Sequence, residues 1–177
     1  MKQYNLDYFE NMLRMYSCSA QYISEIRWNF IKDCGNVVLD YGCGCGWFRA
    51  FRPEGKIVDS YDIGGYAQTG IKHNKYDCIC FWDVLEHIDW EKNPDKHIEK
   101  MFKITEYIAI TVPILPEGQD PKSWKHTKKG EHLTRFEKIS EVIEFFKKRK
   151  FKIVNVGSPE CPPRSDIYSF IFKKCEK

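Results

Sequence analysis

The 177-residue sequence contains no apolar run that would cross a bilayer: the longest, Ile108 to Leu115, is far short of the roughly 20 residues a spanning helix needs. It also lacks internal repeats and low-complexity segments, and its polar start carries no signal-peptide core. The eight cysteines follow neither a disulfide framework nor the two-to-four-residue ligand spacing of structural zinc sites. Cys43 and Cys45 stand in a glycine-rich turn, and Cys78 and Cys80 alternate along a strand-like run, where they point the same way without closing a chelate. Reduced thiols, no bound metal, no membrane association and a cytoplasmic location are the resulting expectations. What is present is a composition 42% apolar and 15% aromatic, enough for one compact domain over 1–177 with a core that needs no staples.

The net charge of +3 is unevenly spread. Residues 1–121 carry 13 basic and 18 acidic side chains, whereas 122–177 carry 15 and 7. The densest basic run, Lys147 to Lys150, follows an amphipathic stretch, where cations complement a helix dipole. An anionic partner for the basic half is the alternative.

Leu6, Phe9, Leu13 and Tyr16 fall at helical spacing, and Ile23, Ile26 and Phe30 form a second helical stretch ended near Gly35. After the 36–48 stretch, short runs of strand composition, 56–61, 76–82, 107–112, 151–156 and 167–172, alternate with helical patterns, which predicts a mostly parallel sheet with helices on its faces. Asn93-Pro94 reads as a cap for a helix carrying Ile98, Met101 and Phe102, and Thr134 to Glu137 reads as a capping box before Ile139, Val142, Ile143 and Phe146. The stretch 113–130 is the longest irregular piece, and long loops at strand ends are where substrates bind.

The most informative stretch runs from Asn36 to Phe48: a buried-strand pattern, Asp40, then Gly42, Gly44 and Gly46 in alternation. Glycines at that spacing let the chain turn sharply and bring backbone amides close to a ligand. A dinucleotide-binding GxGxxG loop needs a third glycine where this chain has Trp47, which disfavours a nicotinamide enzyme. A second acid, Asp62, ends the next strand, where a carboxylate can accept both hydroxyls of a ribose.

Asp40, the three glycines, Asp62 and then Tyr76 to Ile88, with Asp83-Val84-Leu85-Glu86-His87-Ile88 at its end, together resemble the class I S-adenosylmethionine-dependent methyltransferases, specifically their small-molecule branch. Glu131 to Phe136, the helix after it and Phe151 to Val154 resemble that branch's closing loop, helix and strand. The resemblance covers about residues 33–172 and implies a Rossmann-like doubly wound sheet of six to seven strands. It divides the chain into an N-terminal helical cap (1–35), a cofactor-binding half (36–112) and a substrate-side half (113–177). One departure stands out: between Asp62 and Tyr76 there is no room for the family's usual helix, strand and adenine-reading acid, so the third-strand region is truncated.

By the same resemblance, Asp40 and the backbone from Gly42 through Cys43 and Gly44 to Gly46 hold the methionine end of S-adenosylmethionine, Asp62 binds its ribose, Ile63 packs its adenine, and Phe81, Trp82 and Asp83 line the sulfur side, with the ring faces of Tyr41, Trp47 or Trp82 available to stabilise the cation. His132 and His87 are the candidates for taking a proton from an acceptor, since imidazole titrates near neutrality. His126 with His132 and Asp83 makes an incomplete metal set, and His73 and His97 read as surface residues. The acceptor expected is a small molecule; base-modifying DNA motifs are missing, since Trp82 to Leu85 replaces a Pro-Pro-aromatic or Pro-Cys element and Cys161-Pro162 has the reverse order. An RNA or phosphorylated acceptor, or a non-catalytic cofactor-binding partner subunit, are the alternatives.

Overall fold

The computed structural model describes residues 6–64, 66–90, 95–124, 132–157 and 166–176. Helix α1 (Leu6–Phe30) runs without interruption for 25 residues, so the two helical stretches expected are one. Nothing between them breaks a helix: 6–30 contains no glycine or proline. The chain leaves α1 through a turn that closes at Gly35, whose φ of +88° places it in the left-handed region, hard against the Asp77 side chain.

Six strands then form one sheet: β1 (Val37–Tyr41), β2 (Ile57–Tyr61), β3 (Tyr76–Trp82), β4 (Thr105–Pro113), β5 (Phe151–Gly157) and β6 (Ile167–Lys174). Their order is β2-β1-β3-β4-β6-β5, with β1 to β4 mutually parallel and β6 antiparallel to both its neighbours. Because the chain steps from β1 outward to β2 and then returns past β1 to β3, the sheet has its switch point between β1 and β3, where a ligand crevice is expected at the carboxyl ends.

The two faces are separated by the period of two along each strand. Leu39, Tyr41, Ile79, Phe81, Ile108 and Ile110 face α3 (Lys96–Lys103) and α4 (Ile139–Lys147), in a core rich in stacked and edge-on rings such as Phe146 against Phe172. Val38, Cys78, Cys80, Trp82 and Ala109 face α1, which contributes Trp28 and, just past its end, Ile31 and Cys34. The alternating cysteines are therefore small hydrophobes, fully buried beneath the helix end. Trp28 fixes α1 to the one-turn helix α2 (Trp47–Ala50): its ring stacks on Phe48 at 4.1 Å and its Nε1 donates to the Phe48 carbonyl at 2.8 Å.

The truncation is borne out. No third strand lies outside β2 among the described residues; instead Thr69 and Gly70 donate to the Ser60 carbonyl, and Lys72 N–H, His73 and the Tyr76 hydroxyl converge on the buried Asp59 carboxylate. His73 and His97 are thus not idle surface residues: the first bonds Asp59 at 2.9 Å and the second the Tyr41 hydroxyl at 2.7 Å. Two caps also move. Asp95 caps α3 by accepting from the amides of His97 and Ile98, while Asn93-Pro94 lies outside the described residues. Helix α4 begins one turn later than Thr134 implies, with the Glu141 carboxylate accepting from the Glu137 amide at 2.7 Å.

Candidate functional site

The three alternating glycines all adopt positive φ: +79° at Gly42, +51° at Gly44 and +77° at Gly46. A side chain at Gly42 would drive its Cβ to 2.4 Å from Val84, whereas above Gly44 nothing lies within 4 Å. The first glycine therefore permits close packing of the turn on the β3 exit, and the second leaves open space over its backbone. The Tyr61 carbonyl accepts from the amides of Gly42 and Cys43, and Asp62 binds the turn from the β2 side, its two oxygens accepting from Gly44 N at 3.0 Å and Gly64 N at 2.7 Å. Each of those oxygens retains a lone pair for a ligand hydroxyl.

Asp40 is the most unusual group here. It is 2% exposed, and its Oδ2 has no hydrogen-bond partner. Burial pushes its carboxyl up to about 7, with Arg27 and Arg49 pulling down and Asp62 pushing further up. A buried acceptor left unmatched is costly and is found where a ligand completes the bonding. At the neighbouring β3 exit the Trp82 indole N–H also lacks a partner, and the Arg27 guanidinium lies 5.0 Å from the ring centroid. Arg27 pairs with Asp83 at 2.8 Å. Asp83 holds a left-handed φ of +58°, uncommon without glycine, fixed by its amide on Thr111 Oγ1 at 2.8 Å and by the Thr111 hydroxyl donating to Oδ1 at 3.1 Å.

The remaining expected contacts separate into backbone and side-chain roles. Tyr41 and Phe81 turn their side chains into the opposite core, so only their backbones reach the crevice. Cys43 is buried, and burial raises its thiol, which stays protonated. Trp47 opens α2 half-buried, and Ile63 stands 44% exposed beside Asp62. The start of α1 leans over this turn: the Cys45 thiol donates to the Phe9 carbonyl at 3.6 Å, and Phe9 stacks on Tyr66 at 5.0 Å.

His87 lies on a 3-10 turn (Leu85–His87) directly after β3, and His132 reaches it from the loop before α4, the two rings edge to face at 4.8 Å. The loop is strapped on by three bonds: Leu133 N and Thr134 N to the Glu86 carbonyl at 2.7 and 3.0 Å, and the Thr134 hydroxyl to the Ile88 carbonyl. Thr134 therefore serves this strap rather than a helix cap. Glu86, 2% exposed, stands with the two imidazoles. His126 lies outside the described residues. Sequence reasoning assigned no role to Arg27, Asp59 or Glu86; the first two are bonded by groups 56 and 13–17 residues along the chain. A groove of about 470 Å³ lined by Asp77, Thr105, Glu106 and Lys173 opens at the other end of β3 and β4, away from the glycine turn and the two imidazoles.

A doubly wound sheet with an acid, a left-handed glycine turn and a second acid at its switch point defines the class I methyltransferase architecture. Residues 18–156 match the family described as a methyltransferase domain, and the chain belongs to that family. Among solved structures it resembles the magnesium protoporphyrin IX methyltransferase of Synechocystis PCC 6803 with bound SAH (17% identity, TM-score 0.60, covering 88% of this chain and 83% of that one). It also resembles the Burkholderia thailandensis 1,6-didemethyltoxoflavin-N1-methyltransferase with bound S-adenosylhomocysteine (14%, 0.62, 92% and 82%) and the 16S rRNA methylase ArmA (16%, 0.56, 94% and 90%). At these identities the likeness establishes the fold. A comparison with curated proteins finds no match. No helix among the described residues is long and apolar enough to cross a membrane.

Proposed function

We propose that this chain transfers a methyl group from S-adenosylmethionine to a small-molecule acceptor by in-line displacement. The observation that carries this reading is the unpartnered Asp40 oxygen, buried beside a glycine turn with open space above Gly44. A lone buried carboxylate matches the cationic methionine end of the donor, and Asp62 matches its ribose. When bound, the donor supplies an electrophilic methyl on a sulfonium, whose loss leaves a neutral thioether.

The chain's own residues do the rest. Asp40 and the backbone from Tyr41 through Gly42, Cys43, Gly44 and Gly46 to Trp47 anchor one end, Asp62 and Ile63 the other, and Phe81, Trp82 and Asp83 form the wall between. Fixing donor and acceptor at attack distance contributes about 7 to 11 kcal/mol to such reactions. Phe9 and Tyr66 cover the turn and exclude water, which strengthens the fixed charges beneath them. His132 and His87, at the acceptor side of the wall, take the proton released by a hydroxyl acceptor. Seven free cysteines among the described residues suit a cytoplasmic setting.

The short irregular connection after Asp62 favours a second reading, a cofactor-binding subunit that does not turn over. Calorimetric titration with S-adenosylmethionine, followed by assay of released S-adenosylhomocysteine over a panel of hydroxyl, amine and carboxylate acceptors, tests both. Binding with product supports transfer, binding without product on any acceptor supports the second reading, and no binding removes both.

A further inference from the structure

We propose that Glu86, His87 and His132 bind one divalent transition-metal ion on the acceptor side of the crevice. One ligand atom from each lies within 4.8 Å of the others. Around an ion with bonds of about 2.1 Å, tetrahedral ligand atoms sit roughly 3.4 Å apart, so small side-chain rotations bring the three atoms to bonding distance. The elements that carry them are already locked together, since the His132 loop is bonded to the Glu86 and Ile88 carbonyls at three points. Two imidazoles and a carboxylate suit manganese, iron, cobalt or zinc rather than magnesium or calcium. Asp83 is committed to Arg27 and Thr111, so among the described residues the protein set is three, which leaves coordination positions open for water or substrate.

The place of the site gives it a use. Val84, two residues before Glu86, packs against Gly42 of the glycine turn, so the ion would sit just beyond the crevice wall. Resting on the methyl-transfer reading above, the acceptor is then an oxygen compound that chelates, a hydroxyl with a second donor atom beside it. With the ion bound, His87 and His132 act as ligands in place of the base role given above: coordination lowers the hydroxyl's pKa and its proton passes to solvent, the oxygen's lone pair forms the new bond to the methyl carbon, and the electron pair of the broken carbon–sulfur bond stays on sulfur.

The full chain, stripped with EDTA, is titrated first with Mn²⁺, followed by spin resonance and calorimetry, and then with Co²⁺, followed by its visible absorption. Mn²⁺ has little affinity for the exposed thiols of Cys18 and Cys175. One equivalent is expected, with affinity at least tenfold lower in His87→Ala, His132→Ala and the conservative His132→Gln, and unchanged in His73→Ala, whose imidazole lies elsewhere on Asp59. Circular dichroism and S-adenosylmethionine affinity within twofold of the parent confirm that the variants fold. The proposal is overturned if neither ion binds, or if either binds the histidine variants as it binds the parent. Metal binding by a chain that does not bind S-adenosylmethionine would uphold the site and remove the methyl-transfer reading instead.

Discussion

Asp40→Asn should make the empty protein more stable at pH 8 and a poorer binder of S-adenosylmethionine. Burial pushes the Asp40 carboxyl up to about 7 in the folded chain, from an ordinary value of 3.8. Between those values the folded state holds a proton that the unfolded state has lost, so stability falls as pH rises and stays low above 7. From pH 5 to pH 8 this amounts to about 3 kcal/mol. Asparagine does not titrate. Its buried amide carries a cost of about 1–3 kcal/mol for any unmatched donor, but that cost is the same at both pH values. The informative quantity is therefore the variant-minus-parent difference in unfolding free energy at pH 8, less the same difference at pH 5, measured by urea denaturation. It should be positive and about 3 kcal/mol. The parent should also release a proton on binding the donor between pH 5 and 7, because the ligand's positive charge restores the ionised carboxylate; calorimetry in buffers of different ionisation enthalpy reads this directly. A pH-independent difference between variant and parent would refute the claim that an unmatched, buried carboxylate is held in reserve for the donor.

Asp62→Ala should weaken donor affinity at least tenfold, with Asp62→Asn in between, since asparagine keeps an oxygen for the Gly44 amide; calorimetric affinities equal to the parent's would show that the acid does not hold the ribose. Gly42→Ala combines a left-handed φ with a Cβ 2.4 Å from Val84 and should cost about 2 kcal/mol or more in denaturation, part of it restored by Val84→Ala. His132→Ala should lower turnover more than donor affinity in steady-state and binding assays, and the opposite pattern would remove it from the acceptor side. Asp59→Asn should destabilise by about 1.5–3 kcal/mol near pH 7, because it breaks charge-assisted bonds, with the loss shrinking in acid; equal loss at all pH values would show that its charge is immaterial.

What was legible in the sequence is what depends on local pattern. The Tyr76–Trp82 strand, the sheet's parallel half and the missing strand after Asp62 follow from alternation and from counting residues. The three glycines announced a turn that only positive φ permits, and all three adopt it. Three of the failures, at Thr134, His97 and Arg27, share a cause, in that each depended on a partner far along the chain. Thr134 has the spacing of a capping box, but the Ile88 carbonyl, 46 residues away, takes its hydroxyl. His97 looked exposed until Tyr41 reached it across the lower core, and Arg27 carried no motif at all, yet it meets Asp83 and Trp82 because α1 lies along the β1–β3 face.

Asp40 and Asp59 show how differently one sheet can treat two buried acids. They lie in neighbouring strands and both are nearly inaccessible. Burial alone would raise either carboxyl, yet Asp59 is held below its ordinary value because Tyr76, His73 and the Lys72 amide all donate to it, while Asp40 rises for want of such donors. The donors to Asp59 come from the very stretch, 72–76, that replaces the family's outer strand, so its charge secures the shortened edge and favours folding above the ordinary carboxylate range. Asp40 opposes folding at the same pH, a burden a chain retains when the missing partner arrives with a ligand. Satisfaction of the buried acid, rather than its burial or its place in a motif, is the physical criterion that distinguishes the two.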